Sequence, residues 1–225
     1  MNLAFSQQLL PFAQSFKRLT KLELKCRQDI IIYPGTRLIH DEFIRHIFQR
    51  DCSVEEFSIV PISQLCNDTI ALFSACTLTK LEVHLTAGRD LFILFSYLPQ
   101  IQIFKCRMSY FITKEDMLTL TVDIPYLKEF GLENTHYTTE FTAIASFLRQ
   151  RSSLERLSLY IKLHRESQCI DGNRLHQELL QDLVHLKLFQ FNFIIDHYRH
   201  DQLFNMTDVI STFQTDFWMK EHDWK

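Results

Sequence analysis

An apolar triplet spaced as LxxLxL recurs along the whole chain, and nothing else in the sequence constrains the fold as much. Its two plainest copies share LTKLE, in RLTKLELK (18–25) and CTLTKLEV (76–83). With Val, Ile, Phe and Cys admitted at the fixed slots, there are seven copies: Leu19–Leu22–Leu24, Val54–Phe57–Ile59, Leu78–Leu81–Val83, Ile101–Phe104–Cys106, Leu127–Phe130–Leu132, Leu154–Leu157–Leu159 and Leu186–Phe189–Phe191. Their first slots are 35, 24, 23, 26, 27 and 32 residues apart.

Alternation provides a test that the template does not build in. In a strand successive side chains face opposite sides, so residues flanking the second and third slots point away from the core. Those residues are Lys21, Glu23, Lys25; Glu56, Ser58, Val60; Lys80, Glu82, His84; Ile103, Lys105, Arg107; Glu129, Gly131, Glu133; Arg156, Ser158, Tyr160; and Leu188, Gln190, Asn192. Only Val60, Ile103, Tyr160 and Leu188 are substantially apolar. One half-buried strand per copy explains this polarity, and cross-strand charge pairs such as Glu82 with Lys105 and Glu129 with Arg156 are expected on the outer face.

Helical periodicity fills the intervals. Phe141, Ile144, Ala145 and Leu148 share one face, as do Leu91, Leu94, Phe95 and Leu98, and Leu175, Leu179 and Leu183 align within 171–183. Thr113 and Asp116 are spaced as a capping box. The unit is therefore strand, turn, helix, turn. It resembles the leucine-rich repeat, whose period is about 20–29 residues. Stacked units of this kind bury a continuous core between a parallel sheet and a helix layer. The expected fold is an α/β leucine-rich-repeat solenoid over residues 1–193, with about seven strands on the concave face and helices on the convex face. Residues 194–225 are expected to form a C-terminal loop and helical cap, truncated relative to related patterns. Asn or Cys is usual three residues after the last slot, but Arg27, Ile62, Thr86, Ser109, Thr135, Lys162 and Ile194 stand there. An irregular, locally distorted array follows.

Unequal repeats without an asparagine ladder resemble the repeat region of F-box proteins over residues 16–193. YLPQIQIFKC (97–106) and IPYLKEFGLENT (124–135) resemble that family's Leu-Pro repeat openings, and STFQTDFW with the following Trp224 resembles the Phe-Trp ending of some of its members. The resemblance implies substrate recognition within a cullin-type ubiquitin ligase. A cullin-ligase adaptor is implied as partner only with an F-box upstream, because no Leu-Pro start of F-box type appears in the chain. DLFILFSYLPQ (90–100) imitates an F-box helix but fits a repeat helix better. The alternative is a stand-alone repeat scaffold with no link to ubiquitin transfer.

Composition excludes other classes. Four glycines, Gly35, Gly88, Gly131 and Gly172, lie too far apart to cradle a phosphate. A net charge of −3 offers no global field for nucleic acid or anionic lipid. Lys17, Arg18, Lys21, Lys25 and Arg27 form a local basic run that reads as a solvated face rather than an anion site. The longest apolar stretch, 91–98, is too short to span a bilayer. The N-terminal segment does not read as a signal peptide, and Cys26, Cys52, Cys66, Cys76, Cys106 and Cys169 are scattered as buried free thiols, so a cytoplasmic or nuclear location is expected. The sequons at 67–69 and 205–207 are then unused.

Neither a catalytic motif nor a cofactor motif emerges. His197 and His200, flanked by Asp196 and Asp201, have no second ligand pair, so a solvated loop is preferred to a metal site. His40, Asp41 and Glu42 fit a helix N-terminal turn. Trp218 is read with Phe213 and Phe217 as a hydrophobic cap rather than a partner anchor. The chain is thus expected to bind another protein, without enzyme activity, cofactor or metal. The residues expected to meet that partner lie on the central strands: Lys80, Glu82, His84, Lys105, Arg107, Glu129, Glu133, Arg156 and Tyr160.

Overall fold

The computed structural model describes residues 20–25, 55–60, 78–85, 88–108, 124–163, 170–195, 206–215 and 217–221. Among these residues seven strands form one open parallel sheet in chain order: β1 (Lys21–Lys25), β2 (Glu56–Val60), β3 (Lys80–Leu85), β4 (Ile103–Met108), β5 (Glu129–Thr139), β6 (Arg156–Leu163) and β7 (Leu188–Ile195). Helices follow three of them: α1 (Gly88–Ser96), α2 (Phe141–Arg149) and α3 (Gly172–Leu175). A fourth, α4 (Met206–Ser211), follows β7. The architecture is α/β. The capping box at Thr113, the acids at 40–42, the histidines at 197 and 200, and all cysteines except Cys106 lie outside the described residues.

The pairing register explains why the apolar triplets recur. Leu22, Phe57, Leu81, Phe104, Phe130, Leu157 and Phe189 stand opposite one another across the sheet. So do Leu24, Ile59, Val83, Cys106, Leu132, Leu159 and Phe191. Phe57, Leu81, Phe104, Phe130 and Leu157 are buried, as are Val83, Cys106, Leu132 and Leu159. A slip of one residue in any strand would turn these side chains to the solvent face, so burial fixes the register. The first slots Leu78, Ile101, Leu127, Leu154 and Leu186 are buried as well. Beside them runs a backbone ladder that sequence reading does not reveal. Thr79 O accepts from Gln102 N, Gln102 O from Lys128 N, Lys128 O from Glu155 N and Glu155 O from Lys187 N, each at 2.8 Å. Any residue except proline can donate these bonds, so the ladder leaves no compositional mark.

The helices cover one face of the sheet. Leu91, Leu94, Phe95 and Leu98 are buried, and the helix ends ahead of Pro99, whose ring disfavours helical geometry at the preceding residue. Helix α2 buries Phe141, Ile144, Ala145 and Leu148, together with Ala143 and Phe147. Phe95 lies 4.6 Å from Phe104 and 5.7 Å from Phe147, ring centre to ring centre, and Phe130 lies 5.7 Å from Phe147. This aromatic cluster ties α1 and α2 to β4 and β5, and each such pair adds about 0.5–1.5 kcal/mol beyond burial.

Asp171 caps α3, its carboxylate accepting from Arg174 N at 2.8 Å. The helix then widens over His176–Leu180, closing with Gln181 N to His176 O at 2.9 Å. Positions four apart rotate by about 40° per step in a regular α-helix. Widening offsets that drift between Leu175 and Leu179, both buried, and Leu183 is buried just beyond the helix end.

The ladder is locally irregular in β5, whose register against β6 shifts between Asn134 and Thr138. Asn134 is buried there, one residue before the slot where a ladder asparagine is usual. At the far end β7 departs from the expected inward and outward pattern. Phe191 belongs to a buried row yet is 40% exposed, because no further strand lies beside it among the described residues.

Candidate functional site

The face opposite the helices carries all nine residues singled out from the sequence. Pairing places Lys80, Ile103, Glu129 and Arg156 in one row, Glu82, Lys105, Gly131 and Ser158 in the next, and His84, Arg107, Glu133 and Tyr160 in a third. Each alternates with a buried residue along its strand, which fixes the side it takes.

Within these rows lies a depression of about 210 Å³. Glu82, Lys105, Arg107, Glu133 and Tyr160 border it, and Gly131 and Ser158 form its floor. Lys80, His84, Glu129 and Arg156 stand on the same face outside the lining. Gly131 is the residue that opens the hollow. A Cβ there would lie 3.1 Å from Ser158 Oγ and 3.2 Å from Lys105 Cγ, tighter than ordinary contact. Sequence reading put Gly131 and Ser158 on this face without assigning them to the site. A glycine inside a strand template was the available signal, since it marks a weakened or closely approached backbone.

The charges on the face are mutually held. Glu129 accepts from Lys105 Nζ at 2.7 Å and lies 3.6 Å from Arg156. Glu56 bridges Lys21 at 3.3 Å and Lys80 at 3.4 Å, and Arg107 donates to Glu133 at 2.9 Å. Lys21 and Lys80 hold the exposed Glu56 carboxyl below its usual range, the Lys21 hydrogen bond being the largest cause. One expected pair differs. Lys105 stands opposite Glu82 in the register but its ammonium turns to Glu129 on β5. Glu129 is more enclosed, with its side chain 17% exposed, so a bond there is less weakened by water.

Cys106 contributes to the floor but is buried from the helix side, and burial pushes its thiol well above the usual range. Among the described residues no group of three His, Cys, Asp or Glu is gathered as a metal site, and no helix is long and apolar enough to cross a membrane.

The aromatic residues near the C-terminus lie elsewhere, against α3, the widened turn after it, and β7. Trp218 Nε1 donates to Gly172 O at 3.2 Å, Gly172 N donates to Thr212 Oγ1 at 2.8 Å, and Phe213 reaches Phe191 at 6.0 Å between ring centres. Phe217 is buried and stacks on His176 at 3.8 Å. Trp224 lies outside the described residues. No known family model matches the chain, and comparison with the curated proteins finds no match.

Proposed function

We propose that the chain is a leucine-rich-repeat module that holds another protein on the outer face of its sheet. The observation that carries this reading is the hollow over Gly131, bordered by Glu82, Lys105, Arg107, Glu133 and Tyr160. Its volume, about 210 Å³, falls below the roughly 300–1,000 Å³ of sites built for small molecules. It suits one large side chain projecting from a partner, with Tyr160 as an exposed aromatic wall. The surrounding ion pairs are organised before binding, which favours specificity and orientation over raw affinity. In this reading residues 1–193 form the solenoid, residues 194–225 form a C-terminal loop and helical cap seated on α3, and the protein works in the cytoplasm or nucleus.

The partner is the substrate of a cullin-type ubiquitin ligase. Support for that step comes from the unequal repeats, the Leu-Pro repeat openings and the Phe-Trp ending. The test is photo-crosslinking from position 160 in cells, followed by identification of what is captured, in the parent chain and in Gly131→Arg. The reading expects one dominant partner, lost when the hollow is filled, and, where an F-box lies upstream in the cellular product, a cullin adaptor that co-purifies with the crosslinked complex. A partner lost on filling but never accompanied by an adaptor supports a stand-alone scaffold instead. Capture that is indifferent to Gly131→Arg refutes the sheet-face site.

A further inference from the structure

The two edges of the sheet differ in chemistry. β1 carries three charged residues in five, Lys21, Glu23 and Lys25, the kind of edge that resists further pairing. β7 reads LFQFNFII and carries no charge, proline or glycine over eight residues. It is the last strand of the sheet, and no described strand lies beyond it. On its helix side Phe191 is 40% exposed, and on its outer side Ile194 is 43% exposed. Gln190 and Asn192 are exposed too.

The strand is also symmetric about Phe191. Reading outward, Gln190 answers Asn192, Phe189 answers Phe193, and Leu188 answers Ile194. Such a palindrome is what a two-fold axis requires, because an isologous interface presents one patch to itself. The backbone meets the same condition. Leu188 N donates to Glu155 O of the β6 side at 3.1 Å. Peptide groups alternate along a strand, so Phe191 and Phe193 direct N–H and C=O to the outer edge. An antiparallel partner centred on Phe191 brings outward-directed groups opposite outward-directed groups. An axis between two residues would not.

We propose that β7 pairs edge to edge with β7 of a second copy, antiparallel and centred on Phe191. Phe191 then faces its own counterpart across the axis, aromatic against aromatic, in a pair that exchanges both backbone hydrogen bonds. Gln190 faces Asn192 of the second copy in a non-hydrogen-bonded pair, where side chains approach most closely and two amides satisfy each other. The two sheets become one continuous sheet, and the exposed Phe191 and Ile194 are covered.

The register makes the test specific. Gln190→Lys with Asn192→Lys sets like charges directly opposite at both symmetric pairs. Gln190→Lys with Asn192→Glu sets opposite charges there. Both positions are exposed, so the fold of one copy is preserved, and circular dichroism verifies it. Light scattering after size exclusion over a hundredfold concentration range should show the parent chain rising from 26.9 kDa to twice that mass. The Lys/Lys variant should stay monomeric, its dissociation constant weaker by at least tenfold, and the Lys/Glu variant should recover the dimer. A monomeric parent chain at all concentrations overturns the proposal. So does equal association of all three proteins, or growth beyond the dimer, which a closed two-fold contact forbids.

Discussion

Gly172→Ala should destabilise the protein although it replaces glycine by alanine within a helix. Ordinarily that change is favourable, by about 0.4–1 kcal/mol. Here a Cβ would lie 2.6 Å from Thr212 O, 2.8 Å from Thr212 C and 2.9 Å from Trp218 Nε1. Two of those atoms are backbone, so relief requires the segment after α4 to withdraw. Withdrawal weakens the Gly172 N to Thr212 Oγ1 bond and the Trp218 Nε1 to Gly172 O bond, each worth about 0.5–1.5 kcal/mol. It also disturbs Trp218 where it meets Phe213 at 5.0 Å and Phe217 at 5.2 Å, about 0.5–1.5 kcal/mol per pair. Partial loss of these contacts, about 2–4 kcal/mol, outweighs the helix-propensity gain of about 1 kcal/mol. The net cost is about 1–3 kcal/mol, a fall in Tm of roughly 2–12 °C for a chain of this size. Thermal melting gives the magnitude, and limited proteolysis with mass analysis shows whether cleavage within 206–221 accelerates. An unchanged or raised Tm would refute the steric reasoning and show that the C-terminal segment does not close on α3 as described.

Phe95→Ala should cost about 3–5 kcal/mol in denaturant unfolding, because Phe95 is fully buried against Phe104 and Phe147 and its removal leaves a cavity between them. Cys106 should resist alkylation at pH 8 in the native protein and react only after unfolding, since burial raises its thiol and removes access; peptide-resolved mass spectrometry checks this. Acid should destabilise the protein in part through Glu56 and Glu155, whose carboxyls are held below the ordinary 4.5, first by hydrogen bonds from Lys21 and Lys187. A lowered folded-state value means that their stabilisation is present above pH 4.5 and is lost as pH falls through the lowered values. Tm measured from pH 6 to pH 3 should therefore fall less steeply in Glu56→Gln/Glu155→Gln, and high salt should shrink the difference because both groups are exposed.

Much of the sheet was legible because its cause is periodic. Two apolar slots per strand, separated by one outward residue, put Phe57, Leu81, Phe104, Phe130 and Leu157 in one buried row and identified the strands that carry them. The faces of α1 and α2 were legible for the same reason. What escaped depends on contacts between distant segments. The carbonyl ladder through Thr79, Gln102, Lys128 and Glu155 uses backbone groups that every residue type supplies. The widened turn after α3 and the seat of Trp218 on Gly172 follow from how α3 meets the C-terminal segment.

The outer face shows where one-dimensional pattern stops being informative. Alternation places Lys80, Glu82, Lys105, Glu129 and Arg156 on one side, but it does not choose their partners. Register alone offers Lys105 to Glu82, directly opposite. The structure sends it to Glu129, which Arg156 approaches from the other flank, so one carboxylate serves two cations across three strands. That choice depends on how enclosed each acid is, a property set jointly by several chain segments. The hollow over Gly131 arises likewise from a missing side chain between neighbours that are long at Lys105 and short at Ser158. A single strand reveals only the glycine, whereas the hollow is a property of four adjacent strands. The shape and charge of such a face are therefore set by combinations of strands, and the individual strand encodes little beyond its own burial.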